Sequence, residues 1–160
     1  MRGLSLWQPW ASLMQFDEKR FETRSWATNY RGTIAIHASK NREELELCLE
    51  QPFNDALKRH SIQKIGDLPF GAFIALADLI AIYKTGVDGR DYPVGVKTCG
   101  AEHEAHFGNY AAGRFAWYFK NLRPLREPLP ARGYQGLWDL VPALQVELHK
   151  RAAAPYREAE

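Results

Sequence analysis

Lys19-Arg20-Phe21-Glu22-Thr23-Arg24-Ser25-Trp26 is the stretch on which the reading of this chain turns. Three cations, one carboxylate, two hydroxyls and two aromatic rings fall within eight residues. A strand places successive side chains on opposite faces, so Phe21 and Thr23 share one face. Arg20, Glu22, Arg24 and Trp26 share the other, and Glu22 and Arg24 are neighbours on it. Lys19 is out of phase with Glu22. It joins the same group only from the preceding turn, Asp17-Glu18, or from a bulge. The pattern reads as one functional surface on the wall of a small β-rich core.

The flanks extend that core. Upstream, Leu4 to Leu6 is a short strand, and Pro9 suits the first turn of a helix running to about Phe16. Trp10, Leu13 and Met14 fall at helical spacing, which makes Trp10 and Met14 core residues first. Downstream, Arg31-Gly32 marks a turn. Thr33 to Ala38 then alternates, with Ile34 and Ile36 inward and His37 on the opposite face beside Thr33, Ala35 and Ser39. Asn41 with Glu44 resembles a capping box opening a helix to about Glu50. Pro52 interrupts it and starts a second helix through Arg59. Cys48 lies on the apolar stripe with Leu45 and Leu49.

Ala72 to Tyr83 is the most apolar run, and it reads as a long central strand buried on both faces. Asp78, its one charge, is either an edge or bend position facing water or a carboxylate reaching a basic partner. The connection from Lys84 to Gly113 is long enough to be functional or mobile. Arg114 to Lys120 is a strand with Phe115, Trp117 and Phe119 on one face. Pro124, Pro128 and Pro130 suggest an irregular crossover, and Tyr134 to Trp138 a last short strand. The polar, alanine-rich stretch from Arg151 to Glu160 reads as a loosely held tail.

The chain has 160 residues, 46% of them apolar, which fits one domain spanning 1–160 with a real core. A net charge of +2 excludes a strongly basic coat but not a local basic cleft. Cys48 and Cys99 are too few for a zinc site or disulfide framework, and read as reduced thiols. No apolar run reaches membrane-spanning length, and Gln8, Pro9, Gln15 and Asp17 break any signal-peptide pattern. A cytoplasmic location, a monomer, no membrane partner and no cofactor are therefore expected.

No phosphate loop, dinucleotide fingerprint, nucleophile elbow or metalloprotease helix is present. Glu102, His103, Glu104 and His106 invite a metal reading. Adjacent residues on an extended chain point opposite ways, however, so a solvated polar loop accounts for them and no metal is expected. What remains is cations interleaved with aromatics: Lys19, Arg20, Arg24, Trp26, Tyr30, Arg31, His37 and Lys40. Guanidinium and ammonium groups pair with phosphates, and exposed rings stack on bases. The set suits single-stranded or loop RNA. A salt-bridged strand with Glu22 between Arg20 and Arg24 explains much of the same pattern.

At these residues the chain resembles an ASCH-domain protein of the PUA-like superfamily, from about Leu4 to Trp138. The matching pieces are Leu4-Ser5-Leu6-Trp7-Gln8-Pro9-Trp10-Ala11, Lys19-x-x-Glu22-x-Arg24, Tyr30-Arg31-Gly32-x-Ile34-x-Ile36-His37-Ala38-Ser39, Leu68-Pro69-x-Gly71, Gly113-Arg114-x-Ala116-Trp117 and Gln135-Gly136-Leu137-Trp138. Where the usual pattern has Gly before the motif lysine, Asp17-Glu18 occupies the turn.

The resemblance implies an α+β fold: a mixed PUA-like β-barrel of five to six strands with flanking α-helices. It also implies a cleft at Lys19, Glu22 and Arg24 that binds RNA or another nucleic acid. Trp10, Arg20, Thr23, Ser25, Trp26, His37, Ser39, Lys40 and Arg114 are expected to line or flank that cleft. Some small relatives are hydrolases of N(4)-acetylcytidine or ribonucleases, so a hydrolase of RNA or modified nucleosides is the second reading. Carried over, the working lysine falls on Lys19 and the distal glutamate on Glu104, while the threonine position holds Glu22 rather than Thr23. An amine stripped of water is a base or nucleophile, and Glu104 would shuttle the proton. A non-catalytic protein-interaction module is the third reading, since the family also occurs inside transcriptional coactivators.

Overall fold

The computed structural model describes residues 1–86 and 104–156. Among the described residues six strands form one mixed sheet: β1 (Arg2–Leu6), β2 (Phe21–Arg24), β3 (Gly32–Ala38), β4 (Ala72–Lys84), β5 (Phe115–Pro130) and β6 (Leu137–Asp139), in the order β2-β5-β4-β3-β1-β6. The sheet curls into a half-barrel, and three helices pack beside it: α1 (Trp10–Gln15), α2 (Phe53–Arg59) and α3 (Pro142–Arg151). This is the α+β, PUA-like architecture expected from the sequence. β1 runs parallel to β3, and every other strand pair is antiparallel.

β4 is apolar on both faces because both faces are covered. Ile74, Ala75 and Ala77 pack with Leu4, Leu6, Ile34, Ile36, Trp117 and Phe119 against Met14 of α1. On the reverse face, Phe73 and Leu76 pack with Leu125 and Leu148 of α3. A third apolar group joins Leu13 to Phe53 and Leu57 of α2 and to Cys48, so Cys48 is a core residue. Burial pushes the Cys48 thiol above its ordinary value. Asp78 takes the partnered role: it accepts from Thr33 Oγ1 at 2.8 Å, Asn121 Nδ2 at 3.0 Å and Arg123 Nη2 at 2.6 Å. It also sits at a register shift between β4 and β5.

Some expectations need correction. The prolines do not mark a crossover, because β5 continues through Pro124 and Pro128 to Pro130, with register shifts against β4. β2 pairs only with Phe115–Tyr118, and beyond it the side of β5 away from β4 is met by the 152–156 segment, whose amides donate to the Leu122 and Pro124 carbonyls. These bonds use the proline carbonyl and do not call on the N–H that Pro124 lacks. Asn41 and Glu44 form no capping box. Asn41 Oδ1 accepts from the Glu43 amide at 2.7 Å, and the segment after it is a short 3₁₀ turn, Leu45–Leu49.

Residues before the tail form α3, which carries too narrow an apolar seam, with Leu148 its one buried residue, to announce itself in sequence. The stretch from Arg151, expected to hang loose, is bonded to β5 as far as Tyr156: the Ala153 amide donates to Pro124 O at 2.8 Å and the Tyr156 amide to Leu122 O at 3.2 Å. Within the 84–113 connection, residues 87–103 lie outside the described residues, and with them Cys99, Glu102 and His103.

Candidate functional site

The site begins at the turn after α1. Asp17 adopts a left-handed φ of 61°, the conformation for which glycine is usual. The Glu18 and Lys19 amides then bond back to Leu13 O at 2.9 and 3.2 Å. This turn delivers Lys19 to the face of β2 that carries Glu22 and Arg24, as the sequence required. Lys19 Nζ lies 3.2 Å from Glu22 Oε2 and also donates to Phe21 O. Glu22 Oε1 lies 3.1 Å from Arg24 Nε. That nitrogen is not aligned for a hydrogen bond, so the contact is a charge pair; Arg24 Nη2 instead donates to Ser5 O at 3.0 Å. Side-chain exposure rises along the row from 1% at Lys19 through 13% at Glu22 to 26% at Arg24. The cluster runs from the core to the rim.

Arg20 departs from the expected arrangement. Its guanidinium is chelated by Asp17, with Nε–Oδ1 at 2.6 Å and Nη2–Oδ2 at 2.7 Å, and the residue is buried. Glu104 is also buried. Its Oε1 accepts from the amides of Arg20 and of Phe21, the latter at 2.7 Å, and so fixes the free edge where β2 starts. Arg114 clamps the 108–110 loop to β2 by donating to Asn109 O at 3.1 Å and Thr23 O at 3.3 Å. Thr23 Oγ1 accepts from the Asn109 amide at 2.9 Å.

Two hollows meet at this row. The smaller, about 510 Å³, is walled by Trp7, Trp10, Leu47, Phe53 and Phe107, with Glu22, Thr23, Arg24, His106 and Asn109 as its polar lining. Trp10 stands edge-on to Phe53, with ring centroids 6.2 Å apart. The wider hollow, about 1210 Å³, is bounded by Trp7, Arg24, Trp26, Ser39, Lys40, Arg132 and Tyr134, with Ser5, His37 and Gly133 also lining it. Ser5, Trp7 and Arg24 belong to both, whereas Ser25 is exposed and borders neither. Trp26 is held edge-on against Trp117 at 4.7 Å, and its carbonyl accepts from Trp117 Nε1 at 3.2 Å. The Arg132 guanidinium lies 5.3 Å from the centroid of the Tyr134 ring.

His37 lies on the face of β3 opposite Ile34 and Ile36, where alternation placed it, but that face is covered as well. Both faces of β3 are covered, and His37 packs edge-on against Phe73 and Trp138. Its Nδ1 lies 3.0 Å from Ser5 Oγ and its Nε2 lies 3.1 Å from Ala131 O. Burial holds the imidazole below its ordinary value, aided by Lys40 and partly opposed by the Ala131 carbonyl.

The structure thus gathers Glu22, Thr23, Arg24, Trp10, Trp26, His37, Ser39 and Lys40 around two adjoining hollows; Lys19 is buried behind Glu22 and lines neither, Glu104 and Arg114 brace β2 from outside both, and Arg20 and Ser25 stand aside. Trp7, Ser5, His106, Asn109, Arg132 and Tyr134 were missed. Trp7 had a signal, since it follows buried Leu6 in alternation and is 39% exposed. Ser5 sits on β1 beside His37 of β3, a pairing set by strand register, His106 stands in the 3₁₀ turn Glu104–Phe107, and Asn109, Arg132 and Tyr134 arrive on loops whose approach no local pattern encodes. Among the described residues no group of three His, Cys, Asp or Glu is placed to hold a metal ion, and no helix is long and apolar enough to cross a membrane.

Comparison with known proteins places these features in context. The ASCH domain model matches residues 4–129. The human Activating signal cointegrator 1 is 37% identical over 138 residues, and its mouse counterpart 27% identical over 138 residues. Each match covers 86% of this chain, which spans 22% of the length of those relatives. Among solved structures, ASCH from Zymomonas mobilis aligns with a TM-score of 0.56 at 16% identity, covering 96% of each chain. A tyrosine-to-phenylalanine mutant of that protein aligns with a TM-score of 0.56 at 17% identity, covering 95% of this chain and 98% of that one.

Proposed function

We propose that this chain, which belongs to the ASCH domain family, binds single-stranded RNA across the two hollows. The observation that carries the reading is the wider hollow itself. Three cations, Arg24, Lys40 and Arg132, and three aromatic rings, Trp7, Trp26 and Tyr134, border one concave surface. Phosphates seek the first set and unstacked bases the second. Glu22 tempers the field at Arg24, but the Lys19–Glu22–Arg24 row still carries one net positive charge, so it attracts an anionic chain. Such a protein acts as a monomer in the cytoplasm on this reading, with no membrane partner.

The test is equilibrium binding of a fluorescent single-stranded RNA across a salt series. Affinity should fall linearly in log–log form, and Arg24→Ala should weaken it and reduce the slope by about 1. Binding that ignores salt would count against the reading.

A second reading draws on the smaller hollow, whose volume of about 510 Å³ suits one nucleoside. Lys19 would then serve a hydrolase of acylated nucleosides with Glu104 as its partner. The position that holds threonine in that group is Glu22 here, and Glu104 Oε1 is engaged by two backbone amides. Release of acetate from N(4)-acetylcytidine, abolished by Lys19→Ala, is its test. The third reading, a protein-interaction module, rests on the likeness to a part of Activating signal cointegrator 1; it predicts neither RNA affinity nor turnover.

A further inference from the structure

We propose that Ser5 and His37 form a nucleophile–base pair at the floor of the wider hollow, able to open an acyl ester carried on a nucleotide. The directions of the hydrogen bonds carry the argument. A carbonyl oxygen only accepts, so the 3.1 Å contact between His37 Nε2 and Ala131 O fixes the ring proton on Nε2. Nδ1 is then an acceptor, and the Ser5 hydroxyl 3.0 Å away donates to it. This is the polarity an activated alcohol needs: hydroxyl to imidazole, imidazole to a fixed oxygen.

The surroundings suit the same chemistry. Ser5, His37 and Gly133 all line the wider hollow. Gly133 brings its backbone close against the pair, an approach only glycine allows, since a Cβ there would lie 2.4 Å from His37 Nδ1 and 2.5 Å from Ser5 Oγ. Arg24 is anchored on the carbonyl of Ser5 itself, at 3.0 Å, which puts a cation beside the nucleophile. Lys40 and Arg132 border the same space. An electrophile drawn there is one attached to a polyanion, and an ester of a nucleotide hydroxyl fits; this choice of carrier rests on the RNA reading above.

The step balances without a co-reactant other than water. Ser5 Oγ bonds to the acyl carbon while its proton passes to His37 Nδ1. The carbon–oxygen bond to the nucleotide breaks, and His37 returns the proton to the departing alkoxide. Water then attacks the acyl-serine, gives its proton to His37, and Ser5 Oγ leaves and is reprotonated. The sum is ester plus water to carboxylic acid plus nucleotide alcohol.

The experiment has two arms that separate this proposal from RNA binding. In the first, the full chain is treated with a fluorophosphonate probe, which carries no RNA, and peptides are mapped by mass spectrometry. Modification of Ser5, absent from Ser5→Ala, is expected. Turnover of p-nitrophenyl acetate should exceed that of Ser5→Ala by about 100-fold, the scale of a positioned general base. No adduct on Ser5 in protein that circular dichroism shows folded would overturn the pair as a catalyst, whatever RNA does. In the second arm, a 3′-O-acetylated RNA oligonucleotide should be hydrolysed with a lower KM than p-nitrophenyl acetate, and that advantage should vanish at high salt. Equal KM values would overturn the nucleotide carrier while leaving the first arm standing.

Discussion

Glu22→Gln is the substitution that bears most directly on the site. The Glu22 carboxylate stands between two cations, 3.2 Å from Lys19 Nζ and 3.1 Å from Arg24 Nε. At an effective dielectric of about 20, each contact amounts to about 5 kcal/mol of gross attraction. Most of that offsets the desolvation of Lys19, whose side chain is only 1% exposed. Neutralising Glu22 leaves the ammonium buried with no carboxylate from Glu22 to balance it, and breaking such a pair costs about 3–5 kcal/mol. For a domain of this size each kcal/mol moves the midpoint by about 2–4 °C, so Glu22→Gln should lower Tm by about 6–20 °C.

Lys19→Met on the Glu22→Gln background removes the stranded charge and should recover most of the loss. Urea unfolding monitored by circular dichroism on the parent, both single variants and the double variant gives the coupling energy. A Glu22→Gln protein within about 0.5 kcal/mol of the parent would refute the reasoning. So would a double variant less stable than the sum of the two singles predicts.

Trp7→Ala should cost RNA affinity on the scale of one lost stacked base, about 1–3 kcal/mol, with an unchanged melting curve because Trp7 is exposed; less than a twofold loss in a binding titration would argue against Trp7 as a platform. Asp78→Ala should destabilise by about 2–4 kcal/mol, since it strands three donors at once, and leave RNA affinity alone; denaturant titration reads the first and binding the second. Glu18 offers a pH test. Burial pushes its carboxyl up, but hydrogen bonds from Arg59 and His60 outweigh that and hold it below its ordinary value. A lowered folded-state value stabilises the fold above about pH 4.3 and is lost as pH falls below it. The parent should therefore exceed Glu18→Gln in Tm at pH 7 and converge with it toward about pH 3. Parallel curves would remove Glu18 as the cause.

How far the sequence carried depends on the range of the forces involved. The Lys19–Glu22–Arg24 row was legible because period-two alternation and one turn decide it locally. Arg20 defeated the same rule: Asp17, three residues away in a left-handed turn, chelates it before it can join the face of Glu22. His37 was placed on the right face of β3, yet that face is covered by Trp138 and the 131–133 loop, which arrive from nearly a hundred residues downstream. α3 escaped notice because a helix held by so few buried side chains has almost no periodic signature. The long strands β4 and β5 join β2 to β3, while β1 and β6 attach beyond β3; the apolar content of β4 announced that strand.

Ser5, Trp7 and Arg24 are a party wall: they border the smaller and the wider hollow alike. A guest that pins the Trp7 indole from one side reshapes the surface its neighbour meets on the other. Occupancy on either side therefore carries a linkage term that must be equal in both directions. A mononucleotide and a longer strand added together would report it as a departure from independent saturation.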